Sequence, residues 1–137
     1  MAKIQTIAPR LPLAPDSRFG YDMLVTIRQA VRQNFKCLLL TAPGERLMDP
    51  EFGVGLKKYL FQNAGPEVEK NIKINIRQQA SKYMPFVSIV NANIVFGDNS
   101  TTEARADSKS ANRLFVSINY VIQSVGVSDI LNLTLDE

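Results

Sequence analysis

The sequence predicts an α+β fold in which two main helices pack on a small, mostly antiparallel sheet of about four strands. Two segments carry apolar residues at spacings of three and four, which is typical of amphipathic helices. Three later segments alternate apolar and polar residues, as strands with one buried face do. A length of 137 residues suits a single domain with one core.

The N-terminal segment, residues 1–20, has no helical period and is interrupted by prolines, so an extended arm is predicted there. Its prolines and leucines are Pro9, Pro12, Pro15, Leu11 and Leu13. The arm is expected either to be unstructured by itself or to lie along a neighbouring chain, with the two leucines as anchors. Residues 21–137 are predicted to form the single folded domain.

Two helices follow from the apolar spacing. Asp22 is placed to cap the first, which is predicted to end near Asn34. Its predicted buried stripe comprises Met23, Leu24, Ile27, Ala30, Val31 and Asn34. The opposite face comprises Arg28, Arg32 and Gln33. The second is predicted to begin at Gly65-Pro66, because proline suits a first turn, and to end at Pro85.

A central stretch, residues 38–61, lies between the helices. The apolar run at residues 37–40 predicts a short buried strand, and Pro43-Gly44 predicts a turn. Four charged residues follow within seven positions: Glu45, Arg46, Asp49 and Glu51. Because Pro50 interrupts them, a shaped loop is expected there. Charges on such a loop are placed to meet a partner, or they pair with one another.

After the second helix the apolar period changes to two. Strands are predicted at residues 90–96, 113–123 and 130–135, with a long polar loop at residues 97–112. Together with residues 37–40 they make about four strands. The last two strands carry few charges and no proline, so an edge formed by either invites pairing with a strand of another chain. The alternative is an edge covered by the N-terminal arm.

The amino-acid composition argues against several classes of function. The chain has no histidine and one cysteine, Cys37, which we expect in the core; this excludes Ser-His-Asp and Cys-His catalysis and most zinc sites. A net charge of +3 and the absence of a glycine-rich phosphate loop give little reason to expect nucleic-acid binding. No secretory signal or bilayer-spanning apolar run is visible, so synthesis in the cytoplasm is expected. No catalytic, cofactor-binding or metal-binding residues are predicted.

The central stretch also contains a dense signature. It comprises Leu38-Leu39-Leu40-Thr41, Pro43-Gly44-Glu45-Arg46, Met48, Pro50-Glu51-Phe52-Gly53, Gly55-Leu56 and Leu60-Phe61. These residues resemble the phage baseplate wedge family, small sheath-initiator proteins of contractile tails with relatives in tailocins and type VI secretion baseplates. The resemblance covers residues 20–135, and the predicted order of elements agrees with it.

One position departs from the family pattern. Where members commonly carry Glu-Pro-Arg after the second helix, this chain has Met84-Pro85-Phe86. The resemblance implies that this turn docks on the helical bundle of the wedge core, but a charge-paired contact is lost here. Either the partner offers an apolar surface to Met84 and Phe86, or docking falls on loop charges. The predicted wedge-core residues are therefore Glu45, Arg46, Pro50, Glu51, Met84, Pro85 and Phe86.

The resemblance implies a structural role in the baseplate of the virion tail, assembled in the host cytoplasm, with six copies per baseplate and no enzyme activity. The implied partners are other wedge proteins, the tail sheath, and, as a further candidate, the tail tube or hub. The protein would template sheath polymerisation by pairing a strand with extended sheath arms. The predicted sheath-contacting residues are Phe115, Ser117, Ile118, Asn119, Val121, Leu131 and Leu133. No cofactor, membrane or nucleic acid is expected.

Two rival functions deserve weighing. A regulatory adaptor can share this fold, but the signature favours the baseplate. Peptidoglycan hydrolysis would need two carboxylates in a sugar-binding cleft. Glu45, Asp49 and Glu51 are the only local cluster, Arg46 beside them favours the ionised form, and the chain has no tryptophan to stack on a sugar. Hydrolysis is therefore the weaker alternative.

Overall fold

The computed structural model of the protein describes residues 5–63, 65–97 and 113–136. Its elements, in chain order, are β1 (Ala8–Pro9), β2 (Pro15–Asp16), β3 (Gly20–Tyr21), β4 (Met23–Leu24), α1 (Ile27–Leu40), a 3-10 helix (Leu56–Phe61), α2 (Pro66–Tyr83), β5 (Val87–Phe96), β6 (Leu114–Ile122) and β7 (Val127–Leu135). Apart from Gly97, the long loop predicted at residues 97–112 lies outside the described residues. None of the described helices is both long and apolar enough to cross a bilayer.

α1 differs from the predicted first helix at both ends. Its cap is Thr26, whose hydroxyl accepts a hydrogen bond from the Gln29 N–H at 3.3 Å. Asp22, the predicted cap, instead pairs with Arg10 at 3.3 Å. Residues 37–40 form the last turn of α1 and no strand, so that prediction was wrong. Four apolar residues satisfy a buried helix end as well as a strand, and periodicity cannot distinguish the two.

α2 agrees with the predicted second helix. Pro66 occupies its first turn, and Ile72 and Ile76 are fully buried. After α2 the Val87 N–H donates to the Met84 carbonyl at 3.0 Å, which turns the chain into β5. Pro85 lies within this turn, as expected for a residue that cannot continue a helix.

The main sheet has three antiparallel strands in the order β5-β6-β7. Ile118, at the centre of β6, is opposite Ala92 on one side and Leu131 on the other. The fold is therefore α+β as predicted, but with one strand fewer in its main sheet, because residues 37–40 belong to α1.

β6 cannot offer an edge, because its backbone pairs on both sides. This corrects the expectation that the strand at residues 113–123 is open to another chain. Pairing between strands is set by the whole fold, which alternation within one strand does not reveal. Among the predicted sheath-contacting residues on β6, Ile118 is buried in the core. The other four point to the opposite face of the sheet: Phe115, Ser117, Asn119 and Val121.

The core lies between the helices and one face of the sheet. Tyr120 and Phe35 pack edge to face with ring centroids 5.2 Å apart, which joins β6 to α1. Burial of each large aliphatic side chain contributes about 1.5–3 kcal/mol. The fully buried aliphatic residues include Leu38, Leu39, Leu56, Ile72, Ile76, Leu114, Ile118 and Ile122.

The N-terminal arm folds into two small antiparallel ribbons, β1 with β4 and β2 with β3. Residues 20 and 21, on either side of the predicted boundary, both lie in β3. Gln33 of α1 holds the arm: its Oε1 accepts from the Leu11 N–H at 2.9 Å and its Nε2 donates to the Pro9 carbonyl at 3.1 Å. The arm therefore contacts its own chain, while Leu11 and Leu13 remain exposed.

Candidate functional site

The middle of the signature forms a loop, residues 42–55, between α1 and the 3-10 helix. Gly53 fixes where the loop ends, with φ of +108° and a position at which a Cβ would lie 2.1 Å from the Thr41 carbonyl oxygen. Only glycine fits such a close approach. The next residue, Val54, donates its N–H to the Leu38 carbonyl at 3.0 Å. Much of the signature thus keeps the loop against the end of α1.

Three side chains of α2 brace the loop from the other side. Gln79 accepts from the Gly53 N–H and donates to the Glu51 carbonyl, each at 3.1 Å. The Tyr83 hydroxyl donates to Asp49 Oδ1 at 3.0 Å, and Lys82 forms an ion pair with Glu51. The hydrogen bond to Glu51 raises the pKa of Lys82. These contacts hold the loop against α2.

The predicted wedge-core charges have partners within the chain. Glu45 Oε2 accepts from the Ala42 N–H at 3.0 Å, and the Arg46 guanidinium lies 3.7 Å from the centroid of the Phe52 ring. The Pro50 carbonyl accepts from the Gly44 N–H at 2.8 Å, which closes the loop. Since these residues are also exposed, they shape the loop and leave one side available to a partner.

Two apolar residues stand at the tip of this loop. Leu47 is 95% exposed and Met48 is 99% exposed. Exposed apolar side chains on a braced loop are a feature of docking surfaces. Met48 was predicted only as part of the signature, and Leu47 was not among the predicted site residues. Two adjacent apolar residues inside a charged loop were the available signal.

Three of the predicted wedge-core residues, Arg46, Met84 and Phe86, line one cavity of about 390 Å³. Arg46 from the loop lies on one side of it, and Met84 and Phe86 from the turn after α2 lie on the other. The remaining lining residues are Asn34, Cys37, Leu38, Phe52 and Tyr83. Cys37, expected in the core, is only half-buried here.

The cavity bears on the two docking alternatives left by the missing Glu-Pro-Arg charges. Met84 is only 5% exposed and belongs to the hydrophobic core. Phe86 is 38% exposed, and Pro85 is exposed beside it. An apolar partner surface would therefore meet Phe86, with Met84 supporting it from below.

The carboxylates of the loop are poorly arranged for glycoside hydrolysis. Glu45 accepts a backbone hydrogen bond, Asp49 accepts one from Tyr83, and Glu51 pairs with Lys82. All three carboxylates are thus engaged by groups of their own chain, whereas glycoside hydrolysis needs two carboxyl groups that face a bound sugar. In the described part of the chain, no cluster of histidine, cysteine, aspartate and glutamate could hold a metal ion.

The second candidate surface is the outer edge of β7. The Gln123 N–H donates to the Phe86 carbonyl and the Gly97 N–H donates to the Arg113 carbonyl. Both bonds are made by odd-numbered residues, 113 and 123, at the two ends of β6. Because backbone groups alternate in antiparallel strands, the odd-numbered residues of β6 direct their N–H and C=O groups toward β5 and the even-numbered ones toward β7. It follows from the register that alternate residues of β7 direct their backbone groups outward. They are Ser128, Ile130, Asn132 and Thr134, of which Ile130 donates its N–H to Asp129 Oδ1 at 2.9 Å.

A buried charge ties β7 to α1. Asp129 Oδ1 lies 2.8 Å from Arg28 Nη2 and 2.9 Å from the Ile130 N–H, while its Oδ2 accepts from the Tyr120 hydroxyl at 3.1 Å. The hydrogen bond from Arg28 lowers the pKa of Asp129. Burial, together with the nearby Asp129 carboxylate, raises the pKa of Tyr120 to about 12. No sequence signal linked Arg28 to a residue so distant in the chain.

The face of the sheet turned away from the helices carries no charged side chain in β5, β6 or β7. Its residues are Ser88, Asn91, Asn93, Val95, Phe115, Ser117, Asn119, Val121, Ser128, Ile130, Asn132 and Thr134. Four of the predicted sheath-contacting residues lie here, on β6. Leu131 and Leu133 point to the core, but their strand, β7, is an edge.

This chain is similar in sequence to one protein family and to one of its members. A family model described as baseplate wedge protein gp25 matches residues 25–126. Baseplate wedge protein gp25 of Enterobacteria phage T4 is 27% identical over 67 residues, which are 49% of this chain and 51% of that protein. The match thus spans about half the length of that relative.

Two solved structures share the fold. One is a chain of the anti-feeding prophage baseplate, with a TM-score of 0.67 and 23% identity, covering 87% of this chain and 86% of that one. The other is a Geobacter sulfurreducens protein provisionally described as a tail lysozyme, with a TM-score of 0.63 and 19% identity, covering 82% of this chain and 93% of that one. At these identities the likeness concerns the fold.

Proposed function

The chain belongs to the family of baseplate wedge protein gp25, and from that premise we propose that it is a structural component of a contractile-tail baseplate. The match over residues 25–126 is the observation that carries this proposal. It includes α1, the braced loop, α2 and the paired strands β5 and β6. Its partners are then other baseplate proteins, and one copy in each of six wedges is the expected number.

The wedge core is proposed to dock on the cavity beside the loop. Phe86 offers an apolar contact there, and Arg46 offers a cation held against Phe52. Leu47 and Met48 lie on the same loop and would enter an apolar recess of the partner. Because α2 braces the loop, little conformational entropy is lost when it binds. Glu45, Pro50 and Glu51 act mainly by holding its shape.

The tail sheath is proposed to pair with β7. Strand addition needs an edge with outward backbone groups, and β7 has them whereas β6 does not. Because the edge of β7 is already ordered, only the sheath arm has to lose conformational entropy when the first sheath ring forms. The predicted contacts on β6, such as Phe115 and Ser117, would then be made through side chains on the uncharged face.

Hydrolysis of peptidoglycan remains the second candidate, because one neighbour in fold is provisionally described as a tail lysozyme. The loop carboxylates do not favour hydrolysis, because each one either accepts a hydrogen bond from its own chain or forms an ion pair within it. Turnover of purified peptidoglycan that is lost in Glu45→Gln would support the enzyme.

The wedge contact is tested by assembling tails with the Phe86→Asp variant. Ile74→Asp, on α2, is the matched control, because Ile74 is 42% exposed and does not line the cavity. Both variants are expected to fold. Phe86→Asp should leave few complete tails in electron micrographs, and its chain should be missing from purified wedges. Normal tail yield with Phe86→Asp would remove this cavity from the docking surface.

A further inference from the structure

We propose that the groove beside β7 selects an extended segment that carries acidic side chains. This inference rests on the strand pairing proposed above and adds the chemistry of the partner strand. It follows from three features of the groove: an open backbone edge, an apolar floor and a basic wall.

The groove has a volume of about 250 Å³ and runs between β7, α1 and the arm. Leu24, Leu131 and Leu133 supply its apolar side chains. The α1 side is formed by Gln29, Arg32, Gln33 and Lys36, and the arm contributes Arg10 and Leu11. A segment lying here would contact leucines below and cations beside it.

The backbone edge in this groove is open. Asn132 lines the groove and directs its backbone groups away from β6. The backbone N–H groups of the arm near the groove bond elsewhere: Arg10 to the Asp22 carbonyl and Leu11 to Gln33. No hydrogen bond between the arm and β7 occurs among the described residues. The arm therefore forms a wall of the groove without capping the strand.

The basic wall is only partly neutralised within the chain. Arg10 pairs with Asp22, and Arg28, one turn before Arg32, pairs with Asp129. Arg32 and Lys36 have no carboxylate within ion-pair distance in the described parts of the chain. Both are exposed, so a partner can approach them from solvent.

The spacing of these two cations matches an extended chain. Arg32 and Lys36 are four residues apart on a helix, which is a rise of about 6 Å. Alternate residues of a strand, which share one face, are about 6.6 Å apart. A strand added to β7 would thus place two acidic side chains, two positions apart, beside Arg32 and Lys36. Nucleic acid fits less well, because leucines and strand backbone form the rest of the groove.

The test uses the full chain and synthetic peptides of nine residues, the length of β7. One peptide alternates valine with glutamate, and the second replaces each glutamate with glutamine. A third keeps the glutamates but carries N-methyl groups on alternate backbone amides, which blocks strand pairing. Fluorescence anisotropy gives the Kd of each at low and high salt. The glutamate peptide is expected to bind best, with an advantage that shrinks in salt.

The double variant Arg32→Gln/Lys36→Gln identifies the cations responsible. Its affinity for the glutamate peptide should fall roughly 2- to 30-fold, as expected for two exposed ion pairs, while its affinity for the glutamine peptide stays the same. Lys57→Gln/Lys58→Gln is the matched control, because these lysines are exposed on the 3-10 helix and do not line the groove. It should behave as the unaltered protein does.

The outcomes separate this inference from the function on which it rests. Equal binding of the glutamate and glutamine peptides would overturn the acidic preference and leave strand pairing intact. Undiminished binding of the N-methylated peptide would overturn strand pairing at β7, and with it the proposed sheath contact. Binding of a single-stranded oligonucleotide but of no peptide, or no binding at all, would also refute the inference.

Discussion

The two edges of the sheet, β5 and β7, differ in regularity and in what lies beside them. The register of β5 shifts between Ile89 and Asn91, so that Val90 forms a bulge. β7 pairs with β6 over its whole length without a shift. Bulges twist an edge strand and discourage further pairing. One edge is thus protected from other strands, whereas the other is kept regular.

The cations beside β7 would disfavour pairing between two copies of this chain through that edge. Two copies paired through β7 would bring Arg32 and Lys36 of both chains close together, and like charges oppose such pairing. An acidic strand meets no such repulsion. The same cations that favour the proposed partner therefore disfavour a second copy of this chain.

The largest expected effect is on the free energy of unfolding, when a proline at the centre of the sheet is compared with one at its open edge. Ile118→Pro should lower the free energy of unfolding by at least about 4 kcal/mol, because it removes a buried side chain and a ladder hydrogen bond. Thr134→Pro, at an outward-facing position of β7, should cost about 1 kcal/mol. Urea unfolding measures both. Equal losses would show that β7 is not an open edge.

The next effect concerns the attachment of β7 to α1. Asp129→Ala should lower the free energy of unfolding by about 1–3 kcal/mol, because the buried Tyr120 hydroxyl loses its acceptor. Ser128→Ala, one residue away on the exposed face, is the control and should change stability little. A loss no larger than that of the control would mean that the Asp129 contacts do not stabilise the edge.

The same ion pair predicts a pH dependence. The pKa of Asp129 is lowered in the folded chain, so its contribution is present above the ordinary value of 3.8 and is lost as the pH falls through the folded pKa. The pKa of Tyr120 is raised, so its contribution is present below 10 and is lost as the pH rises through about 12. Urea midpoints of the protein and of Asp129→Asn should therefore converge as the pH falls below the ordinary value of 3.8 and through the lowered pKa of Asp129. A constant difference between them would contradict this reading.

The smallest effect on stability concerns the protected edge. Deleting Val90 should remove the bulge, make β5 regular and leave the fold intact. The variant is expected to self-associate more than the unaltered protein at the same concentration in size-exclusion chromatography, because a second regular edge becomes available. Val90→Ala keeps the bulge and serves as the control. A monomeric deletion variant would show that the bulge does not protect β5.

Local sequence patterns predicted most of the helices and strands but few of the contacts and pairings between them. Alternation in β6 and in residues 131–135, and the helical spacing in α2, correctly indicated those elements because both signals are local. Residues 37–40 were assigned to a strand because four apolar residues also fit a buried helix end. Loop shape was recognisable from Pro50 and the glycines, since proline and glycine restrict the backbone locally.

The candidate sites depend on contacts between distant parts of the chain. Arg28, Arg32 and Gln33 were predicted only as the polar face of a helix. In the structure they respectively pair with Asp129, line the groove and hold the arm. The position of β6 in the centre likewise follows from the order of pairing. No local pattern encodes these relations, and so the sequence could not tell which of the last two strands is an edge.

A reconstruction of the assembled tail end, with this chain beside its first sheath ring, tests the central claim most directly. The account predicts an extended segment of another chain hydrogen-bonded to the backbone of Asn132, with carboxylates beside Arg32 and Lys36. An assembled particle in which the outer edge of β7 faces solvent, or is covered by residues of its own chain, would contradict it.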